Sequence, residues 1–136
     1  MKWSFNNDRP IYAQLIEQIQ QGLLNGKYPP GSSMPSVRVL ALEAEVNPNT
    51  MQRALAELET QGLLRSQRTA GRFVTEDETM IQKLKEDLAK SHIRDFFDGM
   101  RALGIERDEA LALLRDSLAG DTGGEEGNIK TKEVRS

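Results

Sequence analysis

The sequence predicts a mainly α-helical fold with one small β-hairpin: a winged helix-turn-helix followed by a short two-helix region. Three observations carry the prediction. Apolar residues repeat at helical spacing in three successive segments before Gly62. Residues suited to helix ends bound those segments. Two short strand-like runs joined by a turn follow at once, over Leu63–Gln67 and Arg72–Val74.

The first helix is expected from Pro10 to Asn25. Proline suits a first helical turn, where its missing N–H has no partner to lose. Ile11, Leu15, Ile19 and Leu23 form one stripe, and Gly26 is placed to end it. Pro29-Pro30-Gly31 enforces a loop. A short second helix follows, with Ser36 as N-cap and Val37, Leu40, Ala41 and Ala44 inward, stopping near Glu45. The third helix starts with Asn47 as N-cap and Pro48 in its first turn. It buries Met51, Ala54, Leu55 and Leu58 and ends at Gly62. A turn over Arg68-Thr69-Ala70-Gly71 closes the hairpin.

Thr75 and Glu78 have capping-box spacing, which predicts a long helix from about Glu76 to Leu103, ended by Gly104. A last helix is expected over Arg107 to Leu118. The expected organisation is a winged helix-turn-helix over 1–75, two helices over 76–119, and a disordered tail over 120–136. That tail holds four glycines, mixed charges and only Ile129 and Val134 as sizeable apolar residues. No internal repeat is evident.

Composition narrows the function. A chain of 136 residues, 38% hydrophobic, builds a modest core and no large pocket-bearing domain. No apolar run approaches the roughly 18 residues of a membrane span, and the N-terminal stretch does not read as a secretory signal. Cysteine is absent and His92 is the single histidine, so disulfides, thiolate metal sites and Ser-His-Asp chemistry are not expected. With no phosphate-cradling glycine loop either, the chain does not read as an enzyme. No cofactor or metal is expected, and the expected location is cytoplasmic.

The formal charge of -3 conceals an asymmetry. Residues 1–75 carry eight basic and six acidic side chains, whereas 76–136 carry ten and fifteen. Local charge decides a nucleic-acid partner, because phosphates meet a patch and not an average. Between Gly62 and Thr75 lie Arg65, Arg68 and Arg72 and no acid.

In helix-turn-helix modules the N-terminal end of the second helix of the pair enters the major groove. Here that end carries Asn47, Asn49, Thr50, Gln52 and Arg53. Asn and Gln pair with adenine edges, Arg with guanine, and Thr reaches a phosphate or a thymine methyl. Each also has a plainer reading: Asn47 as a cap, Gln52 and Arg53 as solvated helix positions. Arg38 could lay its stem over the core edge. Order and spacing together say more than any one of them.

Taken together these residues resemble the GntR family of bacterial transcription regulators. The likeness runs through Pro10-Ile11-Tyr12, Gln14-Leu15, Gly26–Gly31, Met34–Ala41, Val46–Leu55, Leu58, Gly62-Leu63-Leu64 and Gly71–Val74, roughly residues 8–76. The short C-terminal part resembles the YtrA-like subfamily, in which two helices serve dimerisation and neighbouring genes often encode ABC transporters. The resemblance implies that Arg38 and the recognition-helix residues contact DNA, and that Arg68, Gly71 and Arg72 lie in a wing touching the adjacent minor groove. The wing departs from the family pattern: Gln67 replaces an arginine, Thr69 a glycine, and Arg72 stands where threonine is usual. Which basic side chain enters the groove stays open. Glu106 stands where relatives often have serine, a weaker N-cap.

One winged module reads only a few base pairs, so a homodimer on a pseudo-palindromic operator is expected. Its pairing face is assigned to Leu84, Leu88, Phe96, Met100, Leu111 and Leu114. The partners expected are thus double-stranded operator DNA and a second copy of the chain, with no membrane. A small-molecule effector is allowed for and not identified. The expected function is sequence-specific transcriptional regulation, most simply repression, with ABC transporter genes as the implied targets. The alternatives are a winged-helix protein-interaction module that does not read DNA sequence and a nonspecific architectural DNA binder.

Overall fold

The computed structural model describes residues 3–124, with side chains described over 3–120. Five helices and one hairpin occur in the order α1 (Ile11–Leu24), α2 (Val37–Ala44), α3 (Pro48–Thr60), β1 (Leu64–Gln67), β2 (Gly71–Val74), α4 (Glu78–Ala102) and α5 (Arg107–Gly124). This is the winged helix-turn-helix order with two further helices. The chain divides into two compact units, Met1–Asp87 and Leu88–Ser136.

The first unit is built on one core. Leu15, Ile19, Leu40, Met51, Leu55, Leu58 and Val74 are fully buried, so the three helical stripes and the hairpin converge on a single apolar centre. Met80, Ile81 and Leu84 pack against that centre. Their attachment carries the compact unit on to Asp87, past the division at 75/76 that the sequence suggests.

Helix ends follow local chemistry. Ser36 accepts from the Val39 N–H at 3.2 Å, and Asn47 Oδ1 accepts from the Asn49 N–H at 2.7 Å. Both are the expected N-caps. α3 ends in a Schellman turn: Leu63 N–H donates to Leu58 C=O and Gly62 N–H to Glu59 C=O. Gly62 has φ +84°, and a methyl there would meet the Met80 side chain at 3.1 Å. The same bond pattern closes α2, where Val46 N–H donates to Ala41 C=O and Glu45 N–H to Leu42 C=O. Its left-handed residue is Glu45 at φ 59°, the one non-glycine with positive φ among the described residues.

Three boundaries differ from the sequence reading. Pro10 precedes α1 as its cap residue and is not its first helical residue. The cap of α4 is Asp77, whose Oδ1 accepts from the Thr79 and Met80 N–H groups, and not Thr75. Thr75 Oγ1 accepts from the Asp77 N–H at 3.1 Å, and its own N–H is bonded to Leu63 C=O at 2.9 Å, so the return bond from Glu78 that a capping box needs is not available. α5 continues past Leu118 to Gly124, through Gly120, a residue that weakens a helix by about 1 kcal/mol without forbidding it. Of the expected disordered tail, residues 125–136 lie outside the described residues.

The segment before α1, unread in the sequence, is fastened to it. Gln18 accepts from Ser4 N–H at 3.1 Å and donates to Ser4 C=O at 2.5 Å. Gln14, one turn earlier, treats Asn6 the same way, at 3.0 Å in both directions. Two side-chain amides thus stand in for a partner strand, and Trp3 and Phe5 pack on the core edge.

In the second unit the last turn of α4 closes around Gly104: Ile105 N–H donates to Met100 C=O and Gly104 N–H to Arg101 C=O. Ala110 is fully buried. Phe96 and Phe97 meet edge to face with centroids 5.2 Å apart, and the Arg107 guanidinium lies 4.4 Å from the Phe97 ring centre. Ile93, Leu103, Leu113, Leu114 and Leu118 are exposed. No described helix is long and apolar enough to cross a membrane.

Candidate nucleic-acid interface

The recognition helix α3 presents its two faces as its sequence requires. Met51, Ala54, Leu55 and Leu58 face the core; Asn49, Gln52 and Arg53 are exposed and Thr50 is half-buried. Asn47 is exposed but spends its Oδ1 on the cap, which leaves its amide N–H groups as the part able to reach outward. Arg38 is exposed on α2, one residue from the apolar Val37 and Val39.

A helix repeats its direction every seven residues, so Gln52 and Glu59 lie on one side of α3, about 10 Å apart. Glu59 is where the hairpin is attached. Its carboxylate accepts from the Ser66 hydroxyl on β1 and from Arg72 Nε on β2, the latter at 2.5 Å. The Ser66 hydrogen bond, followed by the Arg72 guanidinium, holds the Glu59 carboxyl below the usual carboxylate range, against the opposing effect of burial. The wing is therefore fastened beside the outward side of α3.

That attachment separates the two wing arginines. Arg72 is largely covered, its side chain 17% exposed and bound to Glu59. Arg68, in the turn, is exposed, as is Gly71, which opens β2 at φ +90°. The strands pair antiparallel in the register Gln67↔Gly71 to Leu64↔Val74, and Ala70 N–H bonds Gln67 C=O within the turn. The left-handed Gly71 after that turn closes a three-residue loop over Arg68, Thr69 and Ala70. Arg65 lies over the Phe73 ring at 5.5 Å.

Residues 31–34 brace the other edge of β2. Gly31 N–H donates to Val74 C=O, Val74 N–H to Ser32 C=O and Met34 N–H to Arg72 C=O. Ser33 bridges Phe73. The strand that carries the wing is thus tied to α3 through Glu59 and to the entry of α2 through backbone bonds.

Two site residues escape a reading of the sequence. Glu59 looks like an ordinary helix acid; only contact across the hairpin reveals its role. Tyr12, on α1, lies with its ring centre 4.5 Å from the Arg53 guanidinium. Forty-one positions separate them, and no local pattern links them.

The residues assigned to pairing divide. Leu84 is half-buried against the core of the first unit. Leu88, Phe96, Met100 and Leu111 are half-buried and Leu114 is 42% exposed in the second. Among the described residues no group of histidine, aspartate or glutamate side chains is arranged to hold a metal ion.

Known proteins share this arrangement. Residues 11–74 match the family model described as bacterial regulatory proteins, gntR family. The chain is 36% identical over 116 residues to the uncharacterized HTH-type transcriptional regulator YhcF of Bacillus subtilis, covering 85% of this chain and 96% of that protein. It is 31% identical over 116 residues to the HTH-type transcriptional repressor YtrA of the same organism, covering 85% and 89%. Among solved structures, a GntR family transcriptional regulator from Listeria monocytogenes superposes with a TM-score of 0.74 at 38% identity, covering 82% of this chain and 98% of that one.

Proposed function

The chain belongs to the GntR family of bacterial regulatory proteins, and from that premise we propose that it is a homodimeric, sequence-reading repressor of a pseudo-palindromic operator. The single observation that carries the proposal is the exposed polar edge Asn49, Gln52 and Arg53 at the start of α3, with the wing clasped to the same helix through Glu59. Side chains of those types read base edges, while a uniform lysine surface would only meet phosphates.

In this reading α3 enters the major groove by its N-terminal end, and Arg38 and Thr50 meet the flanking phosphates or base edges. Arg68, the uncovered wing arginine, reaches the adjacent minor groove. Arg72 positions the wing and does not itself touch DNA. A partner that is chromosomal DNA places the protein in the cytoplasm.

Repression is favoured by the likeness to a relative named as a repressor. Transporter genes as targets rest on the subfamily resemblance. Dimerisation is favoured by the apolar residues that the second unit leaves exposed, Leu113 and Leu114 among them.

An electrophoretic shift with the DNA upstream of the protein's own gene tests the proposal. A shift that survives excess random duplex supports sequence readout. Equal competition by random duplex would leave only architectural binding, and no shift at low salt would favour the protein-interaction reading.

A further inference from the structure

We propose that Tyr12 is a specificity-determining positioning residue, which presents Arg53 to the major groove; the proposal rests on the DNA-reading function above. The Arg53 side chain makes no hydrogen bond or ion pair among the described residues, and its guanidinium lies 4.5 Å from the centre of the Tyr12 ring. An arginine side chain carries several rotatable bonds, and holding it in one geometry costs about 2 kcal/mol of rotamer freedom. A ring beneath the guanidinium covers one flat side and leaves its in-plane N–H donors open, the edge that pairs with guanine O6 and N7.

The ring is itself fixed. Tyr12 is half-buried and packs against the core cluster. The turn that leads into it is locked by Gln14, which bonds Asn6 on both sides and donates to Arg9 C=O at 2.8 Å. At the other end of α1, Gln20 Nε2 donates to Gln61 Oε1, just past α3, at 3.0 Å. α1 is thus a second brace for the reading edge, on the Arg53 side, as the wing is on the Gln52 side.

The test is a double-mutant cycle on the full chain with Tyr12→Leu, Tyr12→Phe, Arg53→Ala and Tyr12→Leu/Arg53→Ala. The probes are the duplex that the wild-type protein enriches from a random-sequence pool and a random duplex, both at one salt concentration. Tyr12→Leu should weaken binding to the enriched duplex about fivefold, the size of an exposed cation–π contact, and leave binding to random duplex unchanged. Tyr12→Phe, which keeps the ring, should stay within about twofold of wild type. In the Arg53→Ala background Tyr12→Leu should have no further effect.

An equal loss in both backgrounds would show that Tyr12 acts without Arg53 and would overturn the proposal, as would full affinity in Tyr12→Leu. Thermal melting of each variant separates these outcomes from unfolding: should Tyr12→Leu unfold, Tyr12→Phe set against Tyr12→His in the same cycle decides. If the wild-type protein enriches no sequence, the DNA-reading function fails, and this proposal with it.

Discussion

Arg72 donates from Nε to the Glu59 carboxylate at 2.5 Å, joining the second strand of the wing to the recognition helix. The pair leaves the Arg72 side chain only 17% exposed. It also makes wing geometry depend on a titrating group. The Ser66 hydroxyl first, and Arg72 after it, hold the Glu59 carboxyl low. A group whose pKa is depressed on folding stabilises the fold above its unfolded pKa and loses that contribution as pH falls through the folded value.

The stability difference between wild type and Glu59→Gln should therefore be full near neutral pH and shrink as pH is lowered below about 4, the ordinary carboxylate range. Urea unfolding midpoints of both proteins across that range check it. A difference that stays constant with pH would mean that the charge of Glu59 contributes nothing to folding.

Arg68 and the α3 residues should fail in different ways. Arg68→Ala should weaken enriched and random duplex alike and make the salt dependence shallower by about one unit of slope. Gln52→Ala, Arg53→Ala and Arg38→Ala should each cost about 1–3 kcal/mol on the enriched duplex. For the two α3 residues the loss should come with relaxed preference at a single base pair. Fluorescence anisotropy at several salt concentrations separates the two patterns.

Glu45 occupies a glycine's seat in the turn between α2 and α3, at φ 59°. A β-carbon in that left-handed conformation costs about 1 kcal/mol, so Glu45→Gly should stabilise the first unit by about that amount. A chemical denaturation curve with a lower midpoint than wild type would show that the Glu45 side chain contributes more than its backbone strain removes.

Leu114 is 42% exposed on α5, and Leu113 beside it 45%. Leu114→Asp should convert a dimer of about 30 kDa to a monomer near the 15.2 kDa chain mass and leave the helical content unchanged. Light scattering at micromolar concentration reads the change; a wild-type mass already at the chain value would remove the dimer.

Much of the architecture was legible because local chemistry decides it. The Asn47-Pro48 start of α3, the Ser36 cap and the Gly62 and Gly104 ends are set by side chains within a turn of the backbone they serve. The buried stripe Met51, Ala54, Leu55 and Leu58 is set by helical period. What escaped depends on contact between distant segments. Thr75 and Glu78 have capping-box spacing, but the Thr75 N–H that Glu78 would have to reach is taken by Leu63 C=O, and Asp77 caps instead. Arg72 looks like a wing cation until Glu59 is placed beside it. The pairing of Ser4 and Asn6 with Gln18 and Gln14 uses side-chain amides as a strand, which no periodicity signals.

Selection of bound duplexes from a random-sequence pool tests the central claim most directly, since it reads base recognition and two-fold symmetry together. The account predicts enrichment of two inverted half-sites at a fixed spacing, lost in the pools selected with Gln52→Ala or Arg53→Ala. A wild-type pool with no common sequence, or the same sequence recovered by both variants, would contradict it.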